Sequence, residues 1–166
     1  MERKRIMITL TGGGFLWQSK SLLKNLGNNY EYHFILPAYP TWKPELTNIP
    51  VEGKVHYVSI VTTYADKAFW RKTRNILLCL RDTYKIVRKV NPSAIICMGT
   101  SIAIPLFFWA KVFRNKAIFI ESITRVTKPS LAGRIISSLR LCDRFYVQWP
   151  EAVKLYKRSV YKGTVL

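Results

Sequence analysis

The chain has 166 residues, 49% of them hydrophobic and 13% aromatic. That is enough apolar material to close one core, and it excludes a disordered chain. Lysine and arginine number 27 against 9 aspartate and glutamate, a formal net charge of +18, which favours a polyanionic partner: nucleic acid, anionic lipid headgroups or a phosphorylated substrate.

Ile6 to Leu10 is a short apolar run that breaks at Thr11-Gly12-Gly13-Gly14, and it reads as a buried first strand. Phe15 to Leu26 follows helical spacing and stops at Gly27. Tyr32 to Leu36 reads as a second strand ended by Pro37. Pro37, Pro40, Pro44 and Pro50 punctuate an irregular connection that holds Tyr39 and Trp42. Lys54 to Val61 is a third strand. A long helix is predicted over Lys67 to Val90, its apolar face at positions 69, 76, 77, 80, 84 and 87 interrupted by Thr73, and Asn91-Pro92 stops it.

Ala94 to Met98 is a buried strand, followed by Gly99-Thr100-Ser101 and a helix to Phe113. Lys116 to Glu121 is a strand, Ser130 to Leu141 a helix, Phe145 to Trp149 a strand. Pro150 opens a final short helix. Strands alternating with helices predict an α/β fold: one Rossmann-like domain over residues 1–166, its sheet mainly parallel, with helices on both faces.

Several chemistries are disfavoured. Cysteines at 79, 97 and 142 are odd in number and form no CxxC, against a disulfide framework or a zinc site. His33 and His56 fall in strand-like segments and read as structural. The run after Met1–Arg5 is too short for a signal peptide, so none is expected. The most apolar stretch, 102–113, contains Pro105 and Lys111 and falls short of the ~20 residues that span a bilayer. Gly12 and Gly14 fit the start of a dinucleotide fingerprint, but Trp17 takes the third glycine position and no acidic ribose ligand follows the second strand. There is no Walker lysine pattern. No cofactor is expected.

Four places remain as candidate sites. The turn at Gly13 and Gly14 brings backbone N–H groups to the start of a helix, where an anion binds; an empty tight turn is its plain alternative. Gly99 and Thr100 end a central strand, where Thr100 or Ser101 caps the next helix or also meets an acceptor phosphate or sugar. Glu121, Ser122, Thr124, Arg125 and Lys128 follow the next strand: Glu121 and Arg125 either pair with each other, or meet a sugar hydroxyl and phosphate oxygens, with Glu121 as a base. Arg71, Arg74, Leu78, Arg81, Lys85 and Arg88 recur at intervals of three and four along the long helix behind Phe69-Trp70. They form either a solvated face or a surface for lipid phosphates.

The segments Glu121-Ser-Ile-Thr-Arg-Val, Pro129-Ser-Leu-Ala-Gly-Arg and Asp143-Arg-Phe-Tyr-Val-Gln-Trp-Pro-Glu resemble the acceptor-side, membrane-associated subunit of the two-subunit UDP-N-acetylglucosamine transferase of lipid-linked oligosaccharide synthesis. They are also similar to its bacterial exopolysaccharide and capsule counterparts. The resemblance is strongest over Ile95 to Leu166 and continues through the glycine turn.

It implies the amino-terminal half of a GT-B glycosyltransferase, peripheral on the cytoplasmic face of the membrane. A separate carboxyl-terminal-half subunit would supply the UDP-sugar site. The acceptor would be a polyprenyl-diphosphate-linked saccharide, with an anionic membrane surface as a further partner and no nucleic acid. Glu121 would be catalytic; Gly13, Gly14, Gly99, Thr100, Ser122 and Arg125 would meet the acceptor; Trp70, Arg71, Arg74 and Arg81 would meet lipid phosphates. The family's turn usually runs Gly-Gly-His, whereas Phe15 follows Gly13-Gly14 here and offers no hydrogen-bonding group. The implied acceptor chemistry then rests on backbone N–H groups, Glu121 and Arg125, or on the partner. A non-catalytic membrane scaffold that recruits the partner is the alternative. The amino-terminal spanning helix of eukaryotic relatives is not seen, which points to the bacterial type.

Overall fold

Alternation with a period of two along each strand builds the sheet and divides its two faces. The computed structural model describes residues 3–38, 48–60 and 69–165, without the side chains at 69, 71 and 72. Strands β1 (Arg5–Thr9), β2 (Glu31–Ala38), β3 (Gly53–Ser59), β4 (Ala94–Met98), β5 (Lys116–Ile120), β6 (Arg144–Val147) and β7 (Ser159–Tyr161) form one seven-stranded sheet. Its order is β3-β2-β1-β4-β5-β6-β7, and every pairing is parallel. Among the described residues four helices connect the strands: α1 (Gly14–Leu26), α2 (Phe69–Val90), α3 (Ala103–Val112) and α4 (Leu131–Ser138). A 3-10 turn covers Pro150–Leu155.

One face packs Met7, Ile35, Ile95, Cys97, Phe119 and Phe145 against residues of α2, α3 and α4, including Val87, Phe107 and Ile136. The other packs Ile6, Ile8, Phe34, Leu36, Ile96 and Met98 against Leu23 of α1. The chain winds from β1 outward through β2 and β3, then returns to β4 on the other side of β1. That reversal opens a crevice between the carboxyl ends of β1 and β4, the usual ligand position in such sheets.

The element types match the sequence reading, with four informative differences. Pro37 does not end β2, which runs on to Ala38 against Ser59. Pairing of β2 with β1 stops at Ile35 opposite Thr9, so from there β2 has one neighbour and a missing N–H costs no ladder bond. On α2 the buried positions are Cys79, Thr83, Val87 and Val90, while Ile76 and Leu77 are exposed. The buried face is therefore rotated from the expected one. Thr83 is accommodated because its hydroxyl donates to the Cys79 carbonyl at 2.6 Å.

The predicted cap at Gly99-Thr100-Ser101 lies earlier than the helix it was assigned to. A turn intervenes, Ile102 occupies the cap position, and no side chain caps α3. The fourth difference is β7, too short at three residues to carry a readable alternation. The expected connection through Tyr39, Pro40, Trp42 and Pro44 falls outside the described residues, as do Val61, Lys67 and Ala68.

Candidate functional site

Three loops converge at the carboxyl edge beside the β1/β4 crevice. The first is the glycine turn after β1. Gly13 has φ 69°, and a Cβ placed on Gly12, Gly13 or Gly14 would meet no atom within 4 Å, so the turn is open to a ligand. No side chain caps α1, which leaves its first N–H groups and the positive end of its dipole for an anion. Thr11 sits beside the turn with its Oγ1 buried and without a hydrogen-bond partner. A single threonine carries no pattern of its own in the sequence; its adjacency to the glycines is the signal that finds it.

The second loop begins at Gly99, with φ 54°. A Cβ there would lie 3.1 Å from Phe15 Cδ1 and 3.2 Å from Ser122 Cβ, and would overlap the Phe15 ring. Phe15, at the start of α1, thus packs its ring against the backbone of Gly99, and Ser122 lies beside the same glycine. The aromatic ring fills the space beside Gly99. Thr100 is buried, and its Oγ1 accepts the Ile102 N–H at 3.4 Å.

The third loop follows β5. Glu121 is 1% exposed, and its carboxylate points inward. Oε1 accepts the Ser122 N–H at 2.9 Å, and Oε2 accepts the Ser130 hydroxyl at 2.6 Å together with the Tyr156 hydroxyl. The donors are themselves aligned: Ser130 N–H donates to the Tyr156 oxygen at 2.8 Å, and Gly133 N–H donates to Ser130 Oγ at 2.9 Å. Ser130 is the cap of α4, so the carboxylate ties the end of β5 to the start of that helix.

An aromatic row under the sheet aims Tyr156 at this point. Phe119 packs tilted against Phe145 at 4.9 Å between centroids, and Phe145 likewise against Tyr156 at 4.7 Å. Burial first, and then the hydrogen bond to Glu121, push the Tyr156 phenol up to about 12.

A second set of contacts joins this loop to α1 and β6. Gln18, in α1, accepts the Ile123 N–H at 3.1 Å and a Gln148 side-chain N–H at 2.6 Å. The Gln148 amide also donates to the Glu121 carbonyl at 2.8 Å and accepts the Val165 N–H at 3.1 Å. Trp149 Nε1 donates to the Ile123 carbonyl at 2.6 Å. Sequence reading missed Gln18, Gln148 and Tyr156 as a group, because residues 18, 121, 148 and 156 meet only in three dimensions.

With its acid turned inward, the outer part of the loop is cationic. Glu121 does not pair with Arg125. Arg125 is exposed and makes no ion pair among the described residues. Ser122 is buried and orders the turn: its Oγ lies 2.9 Å from Thr124 Oγ1 and accepts the Thr124 N–H at 3.3 Å, while its carbonyl accepts the Arg125 N–H at 3.0 Å. Gly13, Gly14, Gly99, Thr100, Ser122 and Arg125 therefore border one edge, whereas the Glu121 carboxylate supports it from behind.

The α2 residues lie elsewhere. Trp70 is 81% exposed, and with Leu77 and the exposed Arg74 and Arg81 it forms a stripe at spacings of four, three and four. The Arg71 side chain lies outside the described residues. Arg81 contacts the neighbouring Asp82 at 3.3 Å. Among the described residues, no helix is long and apolar enough to cross a membrane.

Against this geometry stand the similarities to known proteins. Residues 54–165 match the family described as oligosaccharide biosynthesis protein Alg14 like. The chain is 36% identical over 88 residues to the UDP-N-acetylglucosamine transferase subunit ALG14 of Yarrowia lipolytica, covering 49% of this chain and 40% of that protein. With the corresponding subunit of Schizosaccharomyces pombe it shares 30% over 133 residues, 77% of this chain and 59% of the relative. These matches thus span only about half of the relatives' length. Acinetobacter baumannii MurG superposes with a TM-score of 0.69 at 14% identity, over 98% of this chain and 46% of MurG. The fold is therefore the Rossmann-like unit that forms half of a GT-B glycosyltransferase.

Proposed function

The chain belongs to the Alg14-like family of oligosaccharide biosynthesis proteins, and from that membership we propose that it is the acceptor side of an inverting glycosyltransferase completed by a separate subunit. The partner binds the UDP-sugar, and this chain holds a polyprenyl-diphosphate-linked saccharide. The observation that carries the reading is the convergence of the glycine turn with Phe15 and of the Ser122–Arg125 loop on Gly99, at one open edge of the sheet.

In this reading the N–H groups at the start of α1, the Thr11 hydroxyl and the Arg125 guanidinium hold the acceptor diphosphate. Arg125 acts through charge-assisted bonds and the helix end through its dipole. Transfer needs the acceptor hydroxyl placed in line with the anomeric carbon of the donor, and orienting two bound substrates accounts for much of a barrier reduction. In this reading Glu121 is a positioning residue in place of the catalytic one the resemblance implies. Its carboxylate already accepts three internal hydrogen bonds, so it positions the Ser122–Arg125 loop, and proton removal falls to the partner half.

The α2 stripe of Trp70, Arg74 and Arg81 rests on anionic headgroups at the cytoplasmic face and keeps the acceptor edge near its lipid. Interleaved aromatic and basic residues suit that interface.

A second reading is a non-catalytic scaffold that anchors the partner without touching acceptor. The inward Glu121 and the apolar Phe15 favour it. Reconstitution separates the two: the chain, a co-expressed carboxyl-terminal-half subunit, UDP-N-acetylglucosamine and a lipid-diphosphate-linked sugar. On the acceptor-side reading, Arg125→Ala weakens transfer by raising the KM for acceptor while partner binding persists. Unchanged acceptor KM with Arg125→Ala and with Thr11→Val favours the scaffold.

A further inference from the structure

Two helices of this protein end on arginine at a position where glycine is the usual residue. Arg114 follows α3 with φ 60°, and Arg140 follows α4 with φ 51°. Both ends close alike: Asn115 N–H donates to the Ala110 carbonyl at 2.8 Å, and Leu141 N–H to the Ile136 carbonyl at 3.0 Å. That long-range bond marks a Schellman ending, whose left-handed residue is by preference glycine or asparagine, because a Cβ is strained there. The chain follows the preference elsewhere, with Asn91 after α2 at φ 44° and Asn48 at φ 55°. A third arginine, Arg158 at φ 64°, turns the chain into β7. Arginine at three strained turns along one edge of a sheet points to a use for the charge.

The three arginines meet at two adjoining clefts of about 330 and 250 Å³, at the amino ends of β5, β6 and β7. This is the edge opposite the glycine turn. Arg140 lines both clefts. Arg144, Lys157 and Arg158 line the larger, and Lys111, Arg114 and Lys116 the smaller. Among the described residues Asp143 is the one acid in either lining, and it accepts the Ala117 N–H at 2.8 Å. None of these cations makes an ion pair among the described residues. The negative ends of α3 and α4 account for a cation at each helix terminus. They do not account for Lys116 and Arg144, which begin strands, or for Lys157 and Arg158, which precede one.

We propose that this double cleft is a second anion site, which takes a ligand of the diphosphate class: two adjacent phosphate charges held by guanidinium forks. Its source is either a diphosphate free in solution or phosphates displayed by lipid headgroups. The larger cleft is of a size with small-ligand pockets.

The test uses the full-length protein at about 0.15 M salt, where long-range surface attraction is screened. Pyrophosphate is titrated by calorimetry, and vesicles of phosphatidylglycerol in phosphatidylcholine are followed by sedimentation. The variant Arg114→Gly/Arg140→Gly/Arg158→Gly removes three charges at positions that glycine prefers, so its Tm is expected to hold or rise. Arg144→Gln/Lys157→Gln removes two more without touching a strained turn. Both variants are expected to bind at least tenfold more weakly. Loss confined to pyrophosphate assigns the site to a soluble diphosphate; loss confined to vesicles assigns it to headgroups. The proposal is overturned if the wild-type protein binds neither probe, or if both variants bind as it does. A lower Tm in the glycine variant with binding intact would reduce the arginines to helix caps.

Discussion

Gln18 and Gln148 stand 130 residues apart in the chain and share a side-chain hydrogen bond of 2.6 Å. Through it the helix that begins at the glycine turn is fastened to the loop after β5 and to the strand beyond. Gln148 is 2% exposed, and its amide also serves the Glu121 carbonyl and the Val165 N–H. Replacing it with leucine leaves those groups without a partner, and an unsatisfied buried polar group costs about 1–3 kcal/mol. Gln148→Leu is expected to lower the unfolding free energy by that amount. A double-mutant cycle with Gln18→Ala should show coupling above about 0.5 kcal/mol. Strict additivity in denaturant melts would mean that the two amides do not act together.

Gly133 lies inside α4, where alanine ordinarily stabilises by about 0.5–1 kcal/mol. Here a Cβ would sit 2.8 Å from Tyr156 Cε1 and 2.9 Å from Ser130 Oγ, and would overlap Glu121 Oε2. Overpacking of this kind costs about 1–3 kcal/mol, so the sign reverses. Gly133→Ala is expected to destabilise, and a rise in Tm would show the Glu121 cluster to be looser than its hydrogen bonds indicate.

Tyr156 gives an alkaline prediction. Its phenol is raised from 10 to about 12, by burial first and by Glu121 second. The fold therefore favours the protonated form. Its contribution is complete below pH 10 and fades as pH rises through 12. Tyr156→Phe should cost stability at pH 8 and show a shallower decline between pH 10 and 12. Parallel declines in the two proteins would place the alkaline loss elsewhere.

The histidine pair gives the acid counterpart. His33 Nδ1 lies 2.9 Å from His56 Nε2 across β2 and β3, and the rings stack at 5.2 Å. Burial holds both below the usual range, opposed at His33 by Glu31 and assisted at His56 by His33, Lys89 and Lys54. The folded state thus prefers them neutral. That contribution is whole above about pH 6.5 and declines as pH falls through the lowered values. Thermal melts from pH 8 to 5 should lose less stability in His56→Gln than in the wild type. An equal loss would remove the pair as the cause.

Local pattern reaches some of this architecture and not the rest. The apolar runs of β1, β4 and β5 and the stops at Gly27 and Asn91-Pro92 are visible along the chain, because strand burial and helix termination act over a few neighbours. Pro37 misled because its effect depends on where the adjacent strand ends. The α2 face misled because a threonine can bury itself by bonding its own helix. At the site, Gly13, Gly99 and Ser122 were readable from their position after strands. Glu121 was readable as important but not as inward-facing: its partners Ser130 and Tyr156 lie 9 and 35 residues away, and no periodicity connects them. Phe15 was readable as a departure from the resembling family, but its wedge against Gly99 needed coordinates.

The account turns on whether acceptor touches this chain. A polyprenyl-diphosphate-linked sugar carrying a photoreactive group beside the diphosphate, irradiated with the complete two-subunit complex and mapped by peptide mass, measures that directly. The account predicts label in the segments that contain Thr11–Gly14, Gly99–Thr100 and Ser122–Lys128, reduced by Arg125→Ala. Label confined to the partner subunit, from a complex that still transfers sugar, would contradict it.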